Sequence, residues 1–355
     1  MTPDEIFMQR AIDLALLGTG SVSPNPKVGC VIVHDGVIIG EGWHEQFGEA
    51  HAEVNAIQNV ADKTLLPDST LYVNLEPCSH TGKTPPCADL LIKHKLKRVV
   101  IANEDPNPLV AGRGISRLKE AGIDVSVGVL GKIGTDLNRR FFTFFQWKRP
   151  YVILKWAQTI DGFVARTNFD SKWISDELSR QLVHKWRAEE DAILVGARTA
   201  AHDNPQLNVR DWTGRNPVRI VIDKSLSLDS TLHLFDGSQM TLCYNSIRDE
   251  QANNLMFIQV PKCSAPVILD DLFRRNIQSV LVEGGTNTLD DFINSGLWDE
   301  ARVFVSSTSF GEGVKAPSLD LSKAEVKNVG SDQLFTLRNL GVQNFSTTAP
   351  PVPVK

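Results

Sequence analysis

Apolar and polar positions along the first part of the chain switch between the two-residue period of strands and the longer period of helices. Apolar runs at 28–33 and 37–42 flank an Asp-Gly pair, which predicts a β-hairpin. Further strands are predicted at 70–74, 98–102 and 123–127, and helices at 51–60, at 114–121 and from residue 87 onward. This alternation predicts a sheet with helices on both of its faces.

A break in the pattern at 141–150, where an aromatic-rich helix end runs into Lys-Arg-Pro, predicts a domain boundary. A second series of apolar strands follows at 151–156, 191–196, 218–223 and 279–282, and the last of them is followed by a helix that ends near residue 295. A chain of 355 residues is long enough for two cores. We therefore predict two domains and a flexible, proline-rich tail, at 1–147, 148–346 and 347–355.

The composition limits the partners and the location. With 42% apolar and 22% charged residues, the chain has the make-up of an ordinary globular protein. The net charge is −5, and residues 1–148 carry 15 lysines and arginines against 17 acidic residues, which favours a small-molecule substrate over a nucleic acid. Apolar runs are too short for a membrane span. Thr2, Pro3 and Glu5 predict a capped helix rather than a signal peptide, so we expect a cytoplasmic protein.

Three short segments contain residues that suit zinc. They are His51 with Glu53 two positions later, Cys78 after a proline, and Cys87. Zn²⁺ prefers tetrahedral nitrogen and sulfur ligands, and three protein ligands leave a fourth position for water. Glu53 would then move protons, as the glutamate of zinc deaminases does. The pattern predicts a catalytic zinc site, with His51, Cys78 and Cys87 as ligands, that deaminates a nitrogen heterocycle.

The spacing of the two cysteines leaves an alternative open. Eight residues separate Cys78 from Cys87, whereas zinc deaminases usually have two between them. A structural zinc with His80 or His44 as fourth ligand is therefore the alternative. Glu53 favours the catalytic site, because a structural zinc has no use for a proton carrier. The other cysteines are interpreted as buried core residues: Cys30, Cys243 and Cys263.

Longer motifs surround these residues in both predicted domains. The first domain contains PNPKVGC at 24–30, HAE at 51–53, EPCSHTGKTPPC at 76–87, DPNP at 105–108 and AGRG at 111–114. The second domain contains KWAQTIDG at 155–162, SKWIS at 171–175, DNPQL at 203–207 and EGG at 283–285. In these motifs, and in the long loop between its cysteines, the chain resembles the bifunctional deaminase/reductase family of riboflavin biosynthesis. The resemblance covers the chain up to its tail.

The resemblance implies a two-step reaction that begins in the first domain. A zinc-activated water would deaminate 2,5-diamino-6-(5-phosphoribosylamino)pyrimidin-4-one to 5-amino-6-(5-phosphoribosylamino)uracil, with Glu53 as the proton carrier. Asn25 and His44 are predicted to hold the pyrimidine ring. Lys83 and Thr84, between the cysteines, are predicted to hold the ribose phosphate.

For the second step, the resemblance implies that NADPH reduces the open-chain ribosyl group to a ribityl group. The predicted NADPH contacts are Ala157, Trp173, Thr199, Asp203, Lys224, Gly285, Thr286, Asn287, Thr288 and Leu289. The predicted substrate contacts are Lys155, Ser171, Arg187, Leu207, Arg210 and Glu283. From the residues alone, the diglycine at 284–285 follows a strand and opens a helix, where backbone N–H groups attract phosphate.

The resemblance also implies the fold class and the assembly. It implies an N-terminal cytidine-deaminase-like three-layer α/β/α domain, a C-terminal α/β domain similar to dihydrofolate reductase, zinc and NADPH as cofactors, and a homo-oligomer, either dimer or tetramer. One rival function is a nucleoside or tRNA deaminase with an accessory domain, but its short cysteine spacing and basic surface are missing here. A second rival, a zinc-stabilised binding module without activity, does not account for Glu53.

Overall fold

The computed structural model describes residues 1–79, 85–172 and 174–341. The chain divides into two compact units, Met1–Gln146 and Trp147–Lys355, here termed unit 1 and unit 2. The sequence features that lie outside the described residues are Lys83, Thr84, Trp173, the alternative ligand His80 and the predicted tail at 347–355.

Unit 1 is built on a single five-stranded sheet. Its strands are β1 (Gly29–His34), β2 (Val37–Trp43), β3 (Thr70–Leu75), β4 (Arg98–Asn103) and β5 (Asp124–Val127). They lie in the order β2-β1-β3-β4-β5. β1 is antiparallel to β2 and β3, whereas β3, β4 and β5 are parallel to one another. The predicted hairpin and the other predicted strands of this unit are confirmed to within one residue at each end.

Helices cover both faces of this sheet. The α-helices described in unit 1 are α1 (Pro3–Leu16), α2 (Ala52–Gln58), α3 (Cys87–Lys93), α4 (Arg113–Glu120), α5 (Gly131–Leu137) and α6 (Arg139–Trp147). Side chains of β1 alternate between the faces: Cys30 and Ile32 pack with residues of α2, α3 and α4. Val31 and Val33 pack with residues of α1 and α5. The predicted three-layer arrangement is therefore confirmed.

The ends of two helices follow from local contacts. The predicted cap of α1 is confirmed, because the Thr2 side chain accepts a hydrogen bond from the Glu5 amide and the Glu5 side chain accepts one from the Thr2 amide. The predicted end of α2 at residue 60 is wrong. This helix ends at Gln58, since the amide of Val60 bonds to Ile57 O in a turn and the Val60 side chain is buried.

Unit 2 contains a ten-stranded sheet and a small two-stranded sheet. Its strands are β6 (Tyr151–Gln158), β7 (Phe163–Ala165), β8 (Ala192–Gly196), β9 (Val218–Ile222), β10 (Thr241–Asn245), β11 (Glu250–Ala252), β12 (Leu255–Gln259), β13 (Ser279–Val282), β14 (Glu300–Val305), β15 (Val314–Lys315), β16 (Glu325–Val329) and β17 (Asp332–Arg338). The large sheet has the order β11-β12-β10-β9-β8-β13-β6-β14-β17-β16, and its central strands, from β12 to β14, are parallel.

Helices also cover both faces of the large sheet. The α-helices described in unit 2 are α7 (Glu177–Glu189), α8 (Ala197–Asp203), α9 (Ala265–Arg274) and α10 (Thr286–Ser295). On β6, Val152 and Leu154 pack in a core that includes residues of α9 and α10. Tyr151 and Ile153 face the other way and pack with Trp186 of α7. Parallel strands that are buried on both faces account for the continuous apolar runs in the sequence.

The prediction that three cysteines lie in the core is also confirmed. Cys30, Cys243 and Cys263 are buried free thiols. Trp156, Trp186 and Trp298 are buried as well. Within the described parts of the chain, each helix is too short or too polar to cross a bilayer.

Candidate functional sites

Three side chains of unit 1 converge on one point. Nδ1 of His51 lies 3.6 Å from Sγ of Cys78 and 3.4 Å from Sγ of Cys87, and the three atoms lie within 4.8 Å of one another. A tetrahedral zinc with ordinary Zn–N and Zn–S lengths holds nitrogen and sulfur roughly 3.6 Å apart. The donor set and its spacing therefore fit zinc. Among the described residues, this is the only such cluster of metal-binding side chains.

Two helix starts and one strand end bring these ligands together. His51 is the N-cap of α2, and Cys87 is the first residue of α3. Cys78 follows the end of β3, and α3 begins directly against it: the Cys87 amide donates to Cys78 Sγ at 3.3 Å, and the Ala88 amide donates to Cys78 O at 3.1 Å. The N-terminal ends of two helices favour negative charge, which suits thiolate ligands.

Glu53 lies in the first turn of α2, beside the three ligands. Its side chain is buried, with 3% exposed. Burial, followed by the negative charge of Cys78, raises the pKa of Glu53 to about 7. A carboxyl group with a pKa near neutrality can both accept and return a proton, as general acid–base catalysis requires.

Asn25 and His44 lie against this cluster. Asn25 Nδ2 lies 3.1 Å from His44 Nε2, and His44 Nδ1 lies 3.0 Å from the carbonyl oxygen of Ala50. A carbonyl only accepts, so Nδ1 carries the hydrogen and Nε2 accepts from the Asn25 amide. The His44 ring meets the His51 ring edge-on at 5.5 Å. Both His44 nitrogens are engaged, and the structure does not support His44 as a fourth metal ligand.

Glu76, just before the Pro77-Cys78 turn, was not singled out by the sequence. Its carboxylate is buried and accepts hydrogen bonds from four backbone N–H groups, those of Asp105, Gly112, Gly114 and Ile115, at 2.8–3.2 Å. A Cβ at Gly114 would lie 2.1 Å from the carbonyl oxygen of Pro77, so the start of α4 lies directly against this turn. Glu76 therefore joins the segment 105–115 to the strand end that carries Cys78.

We expect Glu76→Gln to destabilise unit 1 and to weaken its hold on zinc. Glutamine replaces one acceptor oxygen with an NH₂ group, which would face backbone donors at a cost of roughly 1–3 kcal/mol per group left without a partner. Chelator competition and thermal unfolding measure both effects. Glu104→Gln, an exposed glutamate beside the same segment, is the matched control. Zinc retention equal to that of the unmodified chain would contradict the expected link to Cys78.

Unit 2 contains a buried cluster of three charged residues. Arg187 donates from Nε and Nη2 to the two carboxylate oxygens of Glu283, each at 2.9 Å, and Lys155 Nζ lies 3.7 Å from the same carboxylate. β6 and β13 are neighbours with Leu154 opposite Val282, so Lys155 and Glu283 come directly after a paired position. These three predicted substrate contacts are therefore brought together by the tertiary structure.

Burial and mutual attraction compete in this cluster. Burial would raise the pKa of Glu283, but the positive charges of Arg187 and Lys155 hold it at about 2. Burial lowers the pKa of Lys155, and the Glu283 carboxylate opposes that shift. Arg187 also donates from Nη1 to the carbonyl oxygen of Asn208 at 3.2 Å. The guanidinium is thus engaged along both edges.

The predicted cofactor turn lies at the N-terminus of α10. Thr199 Oγ1, on α8, accepts a hydrogen bond from the Gly285 amide at 2.9 Å. Gly285 is the N-cap of α10 and has no side chain to cap the helix, so the first turn can offer its amides to a phosphate. A Cβ at Gly284 would lie 2.8 Å from the Thr288 side chain, so the turn requires glycine there. This turn fits the phosphates of a dinucleotide.

The other predicted residues of unit 2 differ in what they can offer. Ser171 Oγ lies 3.3 Å from a carboxylate oxygen of Asp203, so these two residues are brought together. Leu207 and Leu289 are buried in the core, with only 2% and 1% of the residue exposed. Ala157 is a partly buried residue of β6, and the Thr286 side chain donates to Lys315 O. Asn287, Lys224 and Arg210 are exposed.

Comparison with known proteins matches both units. Residues 150–346 match the family profile "RibD C-terminal domain", and residues 1–103 match "Cytidine and deoxycytidylate deaminase zinc-binding region". The riboflavin biosynthesis protein RibD of Bacillus amyloliquefaciens is 42% identical over 98% of this chain and 96% of its own length. The chain belongs to the RibD family. RibD of Aquifex aeolicus is 39% identical over 93% of this chain and 96% of its own length.

Solved RibD structures have the same fold. The deaminase/reductase of Thermotoga maritima superposes with a TM-score of 0.85 at 42% identity, and covers 95% of this chain and 98% of its own. RibD of Acinetobacter baumannii gives 0.86 at 36% identity, with the same coverage. The expected fold class, a cytidine-deaminase-like domain followed by a reductase domain similar to dihydrofolate reductase, is confirmed.

Membership of the RibD family decides between the functions considered above. The chain joins a zinc-binding deaminase domain to an NADPH-dependent reductase domain of riboflavin biosynthesis, and zinc and NADPH are its cofactors. The RibD relatives match the chain over nearly its whole length, which favours this function over a nucleoside or tRNA deaminase with an accessory domain. A binding module without activity is likewise not favoured.

Proposed function

We propose that the chain converts 2,5-diamino-6-(5-phosphoribosylamino)pyrimidin-4-one to 5-amino-6-(5-phosphoribosylamino)uracil in unit 1, and reduces the ribosyl group to ribityl in unit 2. The observation that carries the proposal is the His51, Cys78 and Cys87 cluster with the buried Glu53 carboxyl beside it. In the first step the exocyclic C–NH₂ bond breaks, a C=O bond forms from water, and ammonia leaves.

Glu53 is the proposed catalytic residue of the deamination. Zinc, when held by His51, Cys78 and Cys87, supplies a Lewis acid that makes water a better nucleophile. Glu53 takes the proton of that water, gives it to the ring nitrogen, and then protonates the departing amine. Its burial and its raised pKa support this role, because the carboxyl can exist in either state near neutral pH.

Four residues are proposed to hold the substrate of this step. The contact between Asn25 and His44, and the edge-on packing of His44 on His51, support the first two as contacts for the pyrimidine ring. Lys83 and Thr84 are proposed for the ribose phosphate because a phosphate needs cationic and hydroxyl donors.

The reduction is proposed to take place at the Lys155, Arg187 and Glu283 cluster. NADPH supplies the hydride for the open-chain carbon of the sugar. Lys155, together with Ser171, Arg187, Leu207, Arg210 and Glu283, is proposed to orient the ribosylamino group and its phosphate. The cofactor is proposed to contact Ala157, Trp173, Thr199, Asp203, Lys224 and the turn at 285–289. The amides at the start of α10 support this placement.

We further propose domain boundaries, an oligomeric state and a cellular location for this protein. The deaminase domain occupies 1–147, the reductase domain 148–346, and the tail 347–355; the division into Met1–Gln146 and Trp147–Lys355 supports the first boundary. We propose a cytoplasmic homo-oligomer, a dimer or a tetramer, that does not act on nucleic acid. The net charge of −5 supports the last point.

Incubation of the purified chain with the pyrimidinone substrate tests the proposed order. We expect ammonia release without NADPH, followed by NADPH oxidation once it is added. Ammonia assay and NADPH absorbance measure the two steps. Cytidine, dCMP and adenosine-containing tRNA serve as controls and should release no ammonia. NADPH oxidation before any ammonia release would contradict the order, and ammonia from a control substrate would contradict the assigned substrate.

A further inference from the structure

A histidine that neither proposed reaction uses is buried on α7. His184 lies one helical turn before Arg187 and is only 3% exposed. Residues three apart on a helix lie on the same face, so His184 and Arg187 face the same neighbouring segment. That segment is 208–211, because Arg187 bonds to Asn208 O.

Both nitrogens of the His184 ring contact this segment. Nδ1 accepts a hydrogen bond from the backbone N–H of Arg210 at 3.4 Å, and Nε2 lies 3.2 Å from a carboxylate oxygen of Asp211. The same oxygen of Asp211 lies 3.6 Å from Nε of Arg210. His184 therefore holds the backbone of Arg210 directly and its guanidinium through Asp211.

These contacts select one form of the ring. Nδ1 must be free of hydrogen to accept from a backbone amide, and Nε2 must carry hydrogen to face a carboxylate. The ring is therefore the neutral Nε2–H tautomer. Burial, followed by the positive charges of Arg187 and Arg210, lowers the pKa of His184 to about 4, although Asp211 and Glu283 oppose the shift. The neutral form thus persists throughout the range in which the enzyme would work.

Of the two arginines predicted to contact the substrate, Arg210 is the one whose guanidinium remains accessible to an anion. The Arg187 guanidinium is engaged with Glu283 and with Asn208 O. The Arg210 side chain is 53% exposed, and its recorded partners, Asp211 and Asn208, hold it at 3.4–3.6 Å. A guanidinium that is exposed, and whose orientation is already restrained by its neighbours, is suited to bind a phosphate.

We propose that His184 is a positioning residue that directs Arg210 toward the phosphate monoester of the reductase substrate. This inference rests on the proposed function, in which Arg210 contacts that substrate. An arginine on a free loop loses conformational freedom when it binds, whereas one already held in place loses less. His184 would therefore lower the KM for the phosphorylated substrate and leave the hydride step unchanged.

The test compares reductase kinetics on the aminouracil substrate with and without its phosphate. His184→Leu removes both contacts, and we expect its KM for the phosphorylated substrate to rise about tenfold, the size expected for one or two lost polar contacts. We expect kcat, and the KM for the dephosphorylated substrate, to stay unchanged. His184→Asn, which keeps an acceptor near Nδ1, should restore part of the loss. Ammonia release in unit 1 is the internal control.

Further variants separate the possible outcomes. Asp211→Ala removes the second contact at a half-exposed residue, so it tests the proposal even where His184→Leu fails to fold. His233→Asn, at an exposed histidine of the same unit, is the matched control. In the Arg210→Ala background, His184→Leu should have no further effect on KM.

Two results would overturn the inference: an equal KM rise for both substrates, which indicates a purely structural histidine, or an unchanged KM for the phosphorylated one. If Arg210→Ala alone leaves the preference for phosphate intact, the proposed substrate contact fails instead.

Discussion

Glu53→Gln is expected to reduce ammonia release by about a thousandfold or more, because the variant keeps the shape of the side chain but cannot accept or return a proton. Zinc content should be unchanged, since the three ligand atoms come from His51, Cys78 and Cys87. NADPH oxidation with the already deaminated uracil should also be unchanged. Metal analysis, the ammonia assay and NADPH absorbance measure the three quantities.

The control for this variant is Glu49→Gln. Glu49 is an exposed carboxylate shortly before His51, so its loss tests for a general effect of charge near the site. Substantial ammonia release by Glu53→Gln would mean that another group carries the proton. Loss of zinc would mean that Glu53 serves the metal site structurally.

Glu283→Gln is expected to destabilise unit 2 by roughly 3–5 kcal/mol and to abolish the reduction, because it leaves two buried positive charges without their partner. Arg187 and Lys155 have side chains only 11% and 16% exposed, so water cannot replace the lost carboxylate. Denaturant unfolding measures the stability, and ammonia release should survive. The reductase assay alone cannot distinguish a loss of folded protein from the loss of a substrate contact. The unfolding measurement is therefore needed to show whether stability falls.

An exposed ion pair provides the control for Glu283. Glu325 and Lys327 form a pair with side chains 66% and 69% exposed, and Glu325→Gln should leave stability unchanged within error. The pKa of Glu283 also predicts how its stabilisation of unit 2 depends on pH. The pKa of Glu283 is about 2 instead of 4.5, so its stabilisation is complete above pH 4.5 and is lost as the pH falls toward 2. Equal stability of Glu283→Gln and the unmodified chain would contradict the buried-charge argument.

Much of the metal site could be predicted from local sequence. His51 and Glu53 are two positions apart at a helix start, and a histidine, a glutamate and two cysteines together have few other uses. The unusual spacing between Cys78 and Cys87 made a structural zinc an alternative. Only the packed structure, in which His44 already has partners at both ring nitrogens, removes His44 from the ligand set.

The contacts of two other residues, Glu76 and His184, could not be predicted from the sequence around them. Glu76 is an ordinary glutamate until the segment 105–115, far along the chain, supplies four amides to it. His184 could have been suspected from its spacing to Arg187 on one helix, but its partners Arg210 and Asp211 lie on another segment. Contacts between distant segments depend on how the elements pack, which single-residue patterns do not encode.

By itself, the sequence determined the five strands of the first sheet, the strands β6, β8, β9 and β13 of the second, the family and the metal-binding chemistry, because each depends on periodicity, caps or motifs within short stretches of chain. The tertiary structure alone decided that Arg187 is paired with Glu283 and Lys155, and that Arg210 is the exposed arginine held by His184. The physical reason is that burial and charge pairing depend on which distant segments pack together: the guanidinium of Arg187 is buried and paired with Glu283, whereas that of Arg210 stays half exposed.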